Sequence, residues 1–372
     1  MIKPASSQAA APTRRTSLLP PLGIALLALL LSLFFHSPRL WVLAQPLPGS
    51  TYWDRGLQFM QQVENPLGAR LVDAGLVWRL APALLAQGLG LHGRASLVVP
   101  WIGLLLLLTL CAGLVLRRTG DRSIAFLLTA LLGTTSAVLT VTGWLGFNDA
   151  WYAGALLAVA FLPGNTVLTT AVLVGPWIDE RFILALPLAL WVRSAALGEA
   201  WRPRFALPVA TGGIMLYACS RILNLPHLPT ATTGEYLSGV LAGNSLQWLP
   251  WVSLGWFMGL RAAWFLIAVA IGGTCRSTDL RPAVVWPATL ALGPLLVITL
   301  LAADTGRAPT MLLPLLLLGT ERLVTLHGVE AARRLLGWLL IANLLMPAMH
   351  VTYKSGDIIN MFPVEIARLL WP

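Results

Sequence analysis

The stretch ASLVVPWIGLLLLLTLCAGLVL, residues 95–116, carries no charge from end to end. A helix needs about 20 apolar residues to cross the hydrocarbon core of a bilayer, so this segment alone predicts a membrane span. Similar runs lie on either side of it, at 20–44, 123–146, 205–223, 247–273, 283–303 and 334–350. Shorter apolar segments occupy 151–162, 165–178, 181–193 and 308–320. The fold expected is an all-α polytopic transmembrane helix bundle of about ten or eleven spans.

Composition agrees. Of the 372 residues, 57% are apolar and 11% charged, against about 25% charged in a soluble domain. The net charge of +10 could suggest nucleic acid, but the cations sit in short links between apolar runs, where membrane topology places them. Nucleic-acid binding is therefore not expected. Cys111, Cys219 and Cys275 lie in or beside apolar runs and read as small packing residues.

Residues 1–19, with Lys3, Arg14 and Arg15, read as a disordered cytoplasmic tail. The run 20–44 offers a small residue at Ala44, a signal-peptide feature, but exceeds the 7–15 residues or so of a signal's apolar core, so a retained helix is expected. Residues 20–350 form the bundle, and 351–372 a short C-terminal tail. With the N-terminus inside and the spans alternating, 14 cations fall on the cytoplasmic side and 10 outside, with Arg261 within a span. The inner cations crowd into short links, as the positive-inside rule requires. The expected location is the inner (plasma) membrane of a bacterial cell, multi-pass. Ten of the fifteen acids gather on the outer side. Many of the 16 tryptophans, among them Trp41, Trp144, Trp177 and Trp251, mark predicted span ends.

The outer loop 45–93 is rich in Pro, Gly and charge. Within it, Leu71, Ala74, Val77, Leu80 and Leu84 recur at helical spacing and predict an amphipathic helix in the membrane interface. As a span it would carry Arg70, Asp73 and Arg79 into hydrocarbon, at a few kcal/mol each.

Four sets of charge interrupt the apolar pattern, and all fall on the outer side. The first is Asp54-Arg55, soon after the first span; a carboxylate there suits a general base, while a solvated loop acid is the plain alternative. The second is Asp149 in Gly146-Phe147-Asn148-Asp149, which also fits an ordinary turn. The third is Asp179-Glu180-Arg181, three charges inside some forty apolar residues. Charges at such depth are paired, wet or functional. The fourth is Asp304-Thr305-Gly306-Arg307, where a guanidinium can grip a phosphate or simply pair locally. His36, His92, His227, His327 and His350 show no metal-ligand spacing, so neither metal nor other cofactor is indicated.

The layout resembles the GT-C superfamily of polytopic glycosyltransferases. The shared features are a first span, an outer loop with interfacial helices and an early acid (Asp54), short or broken helices, and an acid-arginine-aromatic motif before a proline (Asp179-Glu180-Arg181-Phe182, then Pro187). Asp304 and Arg307 are similar to an Asp-x-x-Arg motif of uncharacterised bacterial membrane proteins. The two-acid motif of many members is absent, since Arg55 follows Asp54. The resemblance implies a polyprenyl-phosphate-linked sugar donor and membrane lipids as partners. It implies Asp54, Asp179 and Glu180 as catalytic residues, and Arg55, Asp149, Arg181, Asp304 and Arg307 as substrate-binding ones. The sequence names no protein partner. A transporter or flippase for a lipid-linked or anionic solute is the main alternative; a cavity around Arg261 would favour it. A non-catalytic component of an envelope assembly complex is the third reading.

Overall fold

The computed structural model describes residues 18–40, 51–68, 74–197, 203–224, 249–272, 280–301, 304–352 and 355–371. Most of the tail expected over 1–19, the end of the expected run 20–44 from Trp41 to Ala44, residues 45–50 and 69–73 of the outer loop, and Cys275 lie outside the described residues.

The chain is almost wholly helical. Helix α1 (Leu19–Phe35) is followed by α2 (Thr51–Glu64), a single turn at Ala74–Val77, and α3 (Leu80–Gly88). Then come α4 (Val98–Thr119), α5 (Arg122–Gly133), α6 (Ser136–Gly143), α7 (Asp149–Phe161), α8 (Asn165–Ile178), α9 (Arg181–Leu197) and α10 (Pro203–Asn224). The last third holds α11 (Leu249–Leu260), α12 (Trp264–Gly272), α13 (Leu280–Leu301), a tight 3-10 segment Thr305–Leu312 and α14 (Leu313–Leu345). A hairpin of β1 (Ala348–Val351) and β2 (Gly356–Ile359) and a final helix α15 (Phe362–Leu370) complete it.

Among the described residues, four helical stretches are long and apolar enough to cross a membrane: Gly93–Thr119, Phe205–Leu223, Leu249–Gly272 and Thr305–Leu345. The pair α5–α6 qualifies together but bends by 55°. These features are consistent with a membrane protein. The core is packed with Leu104, Leu107, Leu128, Leu156, Phe161 and Phe182, all essentially inaccessible. On the outside, Leu27, Leu30, Leu106, Met215 and Leu216 are exposed, the arrangement expected where the surrounding medium is itself apolar.

The short segments expected at 151–162, 165–178 and 181–193 match α7, α8 and α9 closely. The expected span 123–146 is bent, and the expected span 247–273, which does pass as Leu249–Gly272, carries a local interruption. The run 123–146 breaks at Thr134–Thr135, whose hydroxyls donate to the Leu131 and Leu132 carbonyls at 2.7 Å each and so end α5. The run 247–273 breaks at Arg261, which adopts a positive φ of 51°.

Helix α14 is two helices. Gly328 has φ 82° and ψ 166°, a conformation open to glycine and outside any helix. Before it, Glu321 pairs with Arg118 at 3.0 Å; after it, Arg333 pairs with Asp121 at 2.8 Å, so both halves pass one end of the bundle. At the other end Asp304, which precedes this excursion, meets His350, which follows it, at 3.5 Å. The chain therefore runs down and back, as the separate segments 308–320 and 334–350 predict. The end holding Asp304 is termed upper and the end holding Arg118 lower.

The segment 351–372, read from sequence as a short tail, contributes the return strand and a helix. In the hairpin, Ala348 faces Ile359 and Val351 faces Gly356. Its first strand packs over Thr305–Gly306, with the Thr305 hydroxyl 3.3 Å from the Val351 carbonyl.

Candidate functional site

Asp149, Asp179, Glu180, Arg181, Asp304 and Arg307 converge at the upper end. Each is delivered by a helix break. Gly146, at φ 80°, makes the turn before α7, and a Cβ there would strike the Arg55 carbonyl at 2.8 Å. The turn sets Asp149 in the first turn of α7, where the helix dipole favours a negative charge. Asp179 ends α8 in extended conformation, and its Oδ1 accepts the Arg181 backbone N–H at 3.0 Å at the start of α9. Arg307 comes from the 3-10 segment.

Asp149 is the hub. Its Oδ1 accepts from Arg181 Nη2 at 2.9 Å and Arg307 Nε at 3.0 Å, and its Oδ2 from Arg307 Nη2 at 2.7 Å. Asp179 accepts from Arg181 Nε at 2.8 Å and Nη2 at 2.6 Å, and pairs with Arg79 Nη1 at 3.0 Å. Glu180 holds Arg79 in a fork, from Nε at 3.0 Å and Nη2 at 2.6 Å. Asp304 accepts from Arg307 Nη1 at 2.9 Å. Four carboxylates thus face three guanidiniums, with His350 beside Asp304.

The cluster is graded in depth. The Asp149 side chain is fully inaccessible, while Asp304 and Glu180 at the rim are 21% and 32% exposed. Burial acts to raise the Asp179 carboxyl, but Arg181 and Arg79 outweigh it and hold it well below the ordinary carboxylate range. Burial acts to depress Arg79, and Asp179 with Glu180 more than reverses this, so it stays charged. A buried network of this kind adds little net stability over apolar packing, but removing one member leaves an uncompensated charge.

Aromatic rings line the upper side. Phe147 lies under Arg307, 4.3 Å from guanidinium carbon to ring centre, and under Arg55 at 5.3 Å. Trp144 stacks on His350 with centres 4.3 Å apart, and Tyr152 lies 5.0 Å from Arg181. Arg39 covers Tyr52, also donating to its hydroxyl. Among the described residues two buried oxygens here, Asn148 Oδ1 and Tyr152 Oη, have no hydrogen-bond partner. Among them Asp304 Oδ1 has none either, and it lies at the 3.5 Å ion-pair distance from His350 Nε2.

Asp54 and Arg55 stand in the first turns of α2. Arg55 joins the site through Phe147. Asp54 is half-buried and, among the described residues, makes no ion pair; the structure does not bring it into the network. Two site members were not singled out from the sequence. Arg79 read as part of an interfacial helix, though an arginine amid Leu76, Val77, Leu80 and Leu84 was itself a signal. His350 carried none. Among the described residues no group of three or more His, Cys, Asp or Glu side chains is arranged to hold a metal ion.

An apolar groove of about 430 Å³ runs between α4, α7 and α8, lined by Gly103, Leu107, Ala150, Trp151, Val174 and Ile178 among others. Of its lining residues, Ala150 follows Asp149 and Ile178 precedes Asp179 in the chain, while no charged member of the cluster lines the groove itself. Leu106 and Val174 on its walls are exposed, and it opens on the outside of the bundle.

Arg261, the other buried arginine of note, is 1% exposed and donates to the carbonyls of Asn343 (2.7 Å), Met346 (3.2 Å) and Thr134, with His36 Nε2 at 3.2 Å. Thr134 and Met346 end α5 and α14, so one guanidinium caps two helix C-termini, where positive charge is favoured.

Comparison with protein-family models, with curated proteins and with solved structures finds no match to this chain.

Proposed function

We propose that this chain is a membrane enzyme of the glycosyltransferase kind, taking a polyprenyl-phosphate-linked sugar at the upper, outer end of the bundle. The observation that carries this reading is an apolar groove whose lining residues Ala150 and Ile178 are the chain neighbours of Asp149 and Asp179, two acids of the charge cluster. A lipid-linked phosphate is a greasy chain joined to an anion, and groove and guanidiniums offer those two chemistries side by side.

In this reading the donor phosphate takes Arg307 Nη1 from Asp304 at the rim, while Asp149 keeps the rest of the guanidinium in place. Arg79 and Arg307 then balance the charge that grows on the phosphate as the sugar–oxygen bond breaks. The acceptor oxygen bonds to the anomeric carbon as the lipid phosphate leaves with the electron pair of the broken bond, and the displaced Asp304 carboxylate takes the acceptor's proton, with His350 steadying it. Asp304 suits this role better than Asp54, because it lies in the cluster and already has one oxygen without a hydrogen bond. A cavity around Arg261 would have favoured the transport reading; that residue is packed against backbone carbonyls, and the groove is lined by other helices.

The test is a reconstituted protein offered polyprenyl phosphate, the matching polyprenol and phosphatidic acid in a thermal-shift assay. Polyprenyl phosphate should stabilise it more than the other two. With a polyprenyl-phosphate hexose donor, Asp304→Asn should lower transfer about 100-fold or more, with an unchanged melting temperature. Equal shifts by all three lipids would overturn the reading. Loss of transfer in Asp54→Asn but not Asp304→Asn would return the base to Asp54.

A further inference from the structure

The C-terminal helix α15 is turned the wrong way for a helix in water. Its acid, Glu365, is fully buried; there it accepts a hydrogen bond from Asn360 Nδ2 at 2.6 Å and lies 3.7 Å from Arg368. Most of its large apolar residues are exposed, Phe362 by 41%, Val364 43%, Leu369 40%, Leu370 63% and the following Trp371 77%, while Ile366 is half-buried. Phe362, Leu369 and Leu370 are spaced i, i+7, i+8 and so form one stripe. A soluble face would cover such a stripe or replace it.

The helix is fastened to the end of α1. The Ser37 backbone N–H donates to the Asn360 carbonyl at 2.8 Å, and α15 packs on α1. Helix α1 itself presents Leu27, Leu30 and Phe34 to the outside, 59%, 63% and 47% exposed. Ile358 on β2 and Met361 just ahead of the helix are also exposed. The apolar surface of the first span therefore continues onto α15. At the edge of the stripe stand Arg368, 55% exposed, and Trp371. An arginine and a tryptophan together suit the boundary between lipid chains and headgroups.

We propose that α15 lies flat in the lipid–water boundary of the leaflet at the upper end, with Phe362, Leu369 and Leu370 among the acyl chains and Arg368 on lipid phosphates. The occupant of the exposed stripe is the bilayer, because the stripe is continuous with the lipid-facing side of a span. The helix follows directly on the hairpin that carries His350 to Asp304. It thereby fixes the hairpin, and the roof of the charged cluster, at a set height relative to the lipid headgroups.

The experiment uses the full chain in vesicles of phosphatidylethanolamine and phosphatidylglycerol. Leu370→Cys is labelled with a small fluorophore, and His92→Cys, on an exposed loop, serves as the aqueous reference. The parent chain, labelled in parallel, gives the background from exposed Cys219. Iodide should quench the label at 370 at least ~5-fold less than that at 92, and lipids brominated high on their acyl chains should quench 370 alone. Two results would overturn the proposal. One is iodide quenching at 370 equal to that at 92. The other is protection at 370 from both quenchers, which would put protein, such as a second copy of the chain, over the stripe. An unchanged melting temperature of the labelled variants shows that the fold is intact.

Discussion

Asp149 and Arg307 stand 158 residues apart in sequence, yet Arg307 grips both carboxylate oxygens, through Nε at 3.0 Å and Nη2 at 2.7 Å. Arg181 holds the same carboxylate from the other side at 2.9 Å. Asp149 thus joins two guanidiniums, each of which also has a second carboxylate, Asp179 for Arg181 and Asp304 for Arg307. Replacing it with Asn keeps the shape and removes the charge. Asp149→Asn should cost about 3 kcal/mol through lost charge-assisted hydrogen bonds, seen as a lowered unfolding midpoint in detergent. The double variant Asp149→Asn, Arg307→Met should lose less than the two single variants added together, since both remove the same hydrogen bonds.

Arg261 makes a different prediction. Its hydrogen bonds go to carbonyls that end helices, and Ala262 N–H is in turn held by Asn343 Oδ1 at 2.7 Å. Arg261→Met leaves those carbonyls buried without a donor, and a loss of roughly 3 kcal/mol is expected. Arg261→Lys should recover part of it. Hydrogen exchange should rise first at Thr134 and Asn343, where the junction opens.

At Gly328 the backbone alone is on trial. No atom lies within 4 Å of where a Cβ would sit, and φ is 82°. Gly328→Ala should therefore destabilise by about 1–2 kcal/mol from conformation only, with no change in the ion pairs on either side. Gly337→Ala, also with open space and inside the helix, should be neutral or mildly stabilising. Paired melting curves check both.

Asp121 gives the pH dependence. Its side chain caps α5 by accepting from Ile124 N–H at 2.8 Å, and Arg333 donates to it at 2.8 Å. The Ile124 hydrogen bond, then Arg333, hold its carboxyl below the ordinary value. A depressed acid stabilises the fold above its unfolded value and loses that contribution as pH falls through the folded one. Asp121→Ala should cost about 1 kcal/mol at pH 7. The gap between variant and parent should close below about pH 4, as read from unfolding midpoints across pH.

The sequence spoke most clearly where a break in the helix pattern is local. Pro163-Gly164 and Asp179-Glu180 interrupt their own segments, so α7, α8 and α9 were readable almost to the residue. The break at Arg261 comes with hydrogen bonds to distant helices, which no window of sequence displays, and the break at Thr134-Thr135 rests on local hydroxyl bonds that two threonines in an apolar run do not announce. The site divides in the same way. Charges stranded in apolar runs, at 149, 179–181, 304 and 307, marked themselves by their cost in lipid. Arg79 was read on its own helix, and its true partners, Asp179 and Glu180, are about a hundred residues away. His350 entered through a strand pairing that a four-residue run cannot announce.

The charge cluster also sets a timetable for the chain's birth. Arg79, Asp149, Asp179, Glu180 and Arg181 emerge from the ribosome long before Arg307 does, and until then Asp149 has one guanidinium where the finished protein gives it two. The middle of the molecule therefore waits on its last third, and an insertion machinery that shelters half-matched charges would sense completion at Asp149. Chains cut short before Arg307 should be the ones that cellular quality control removes.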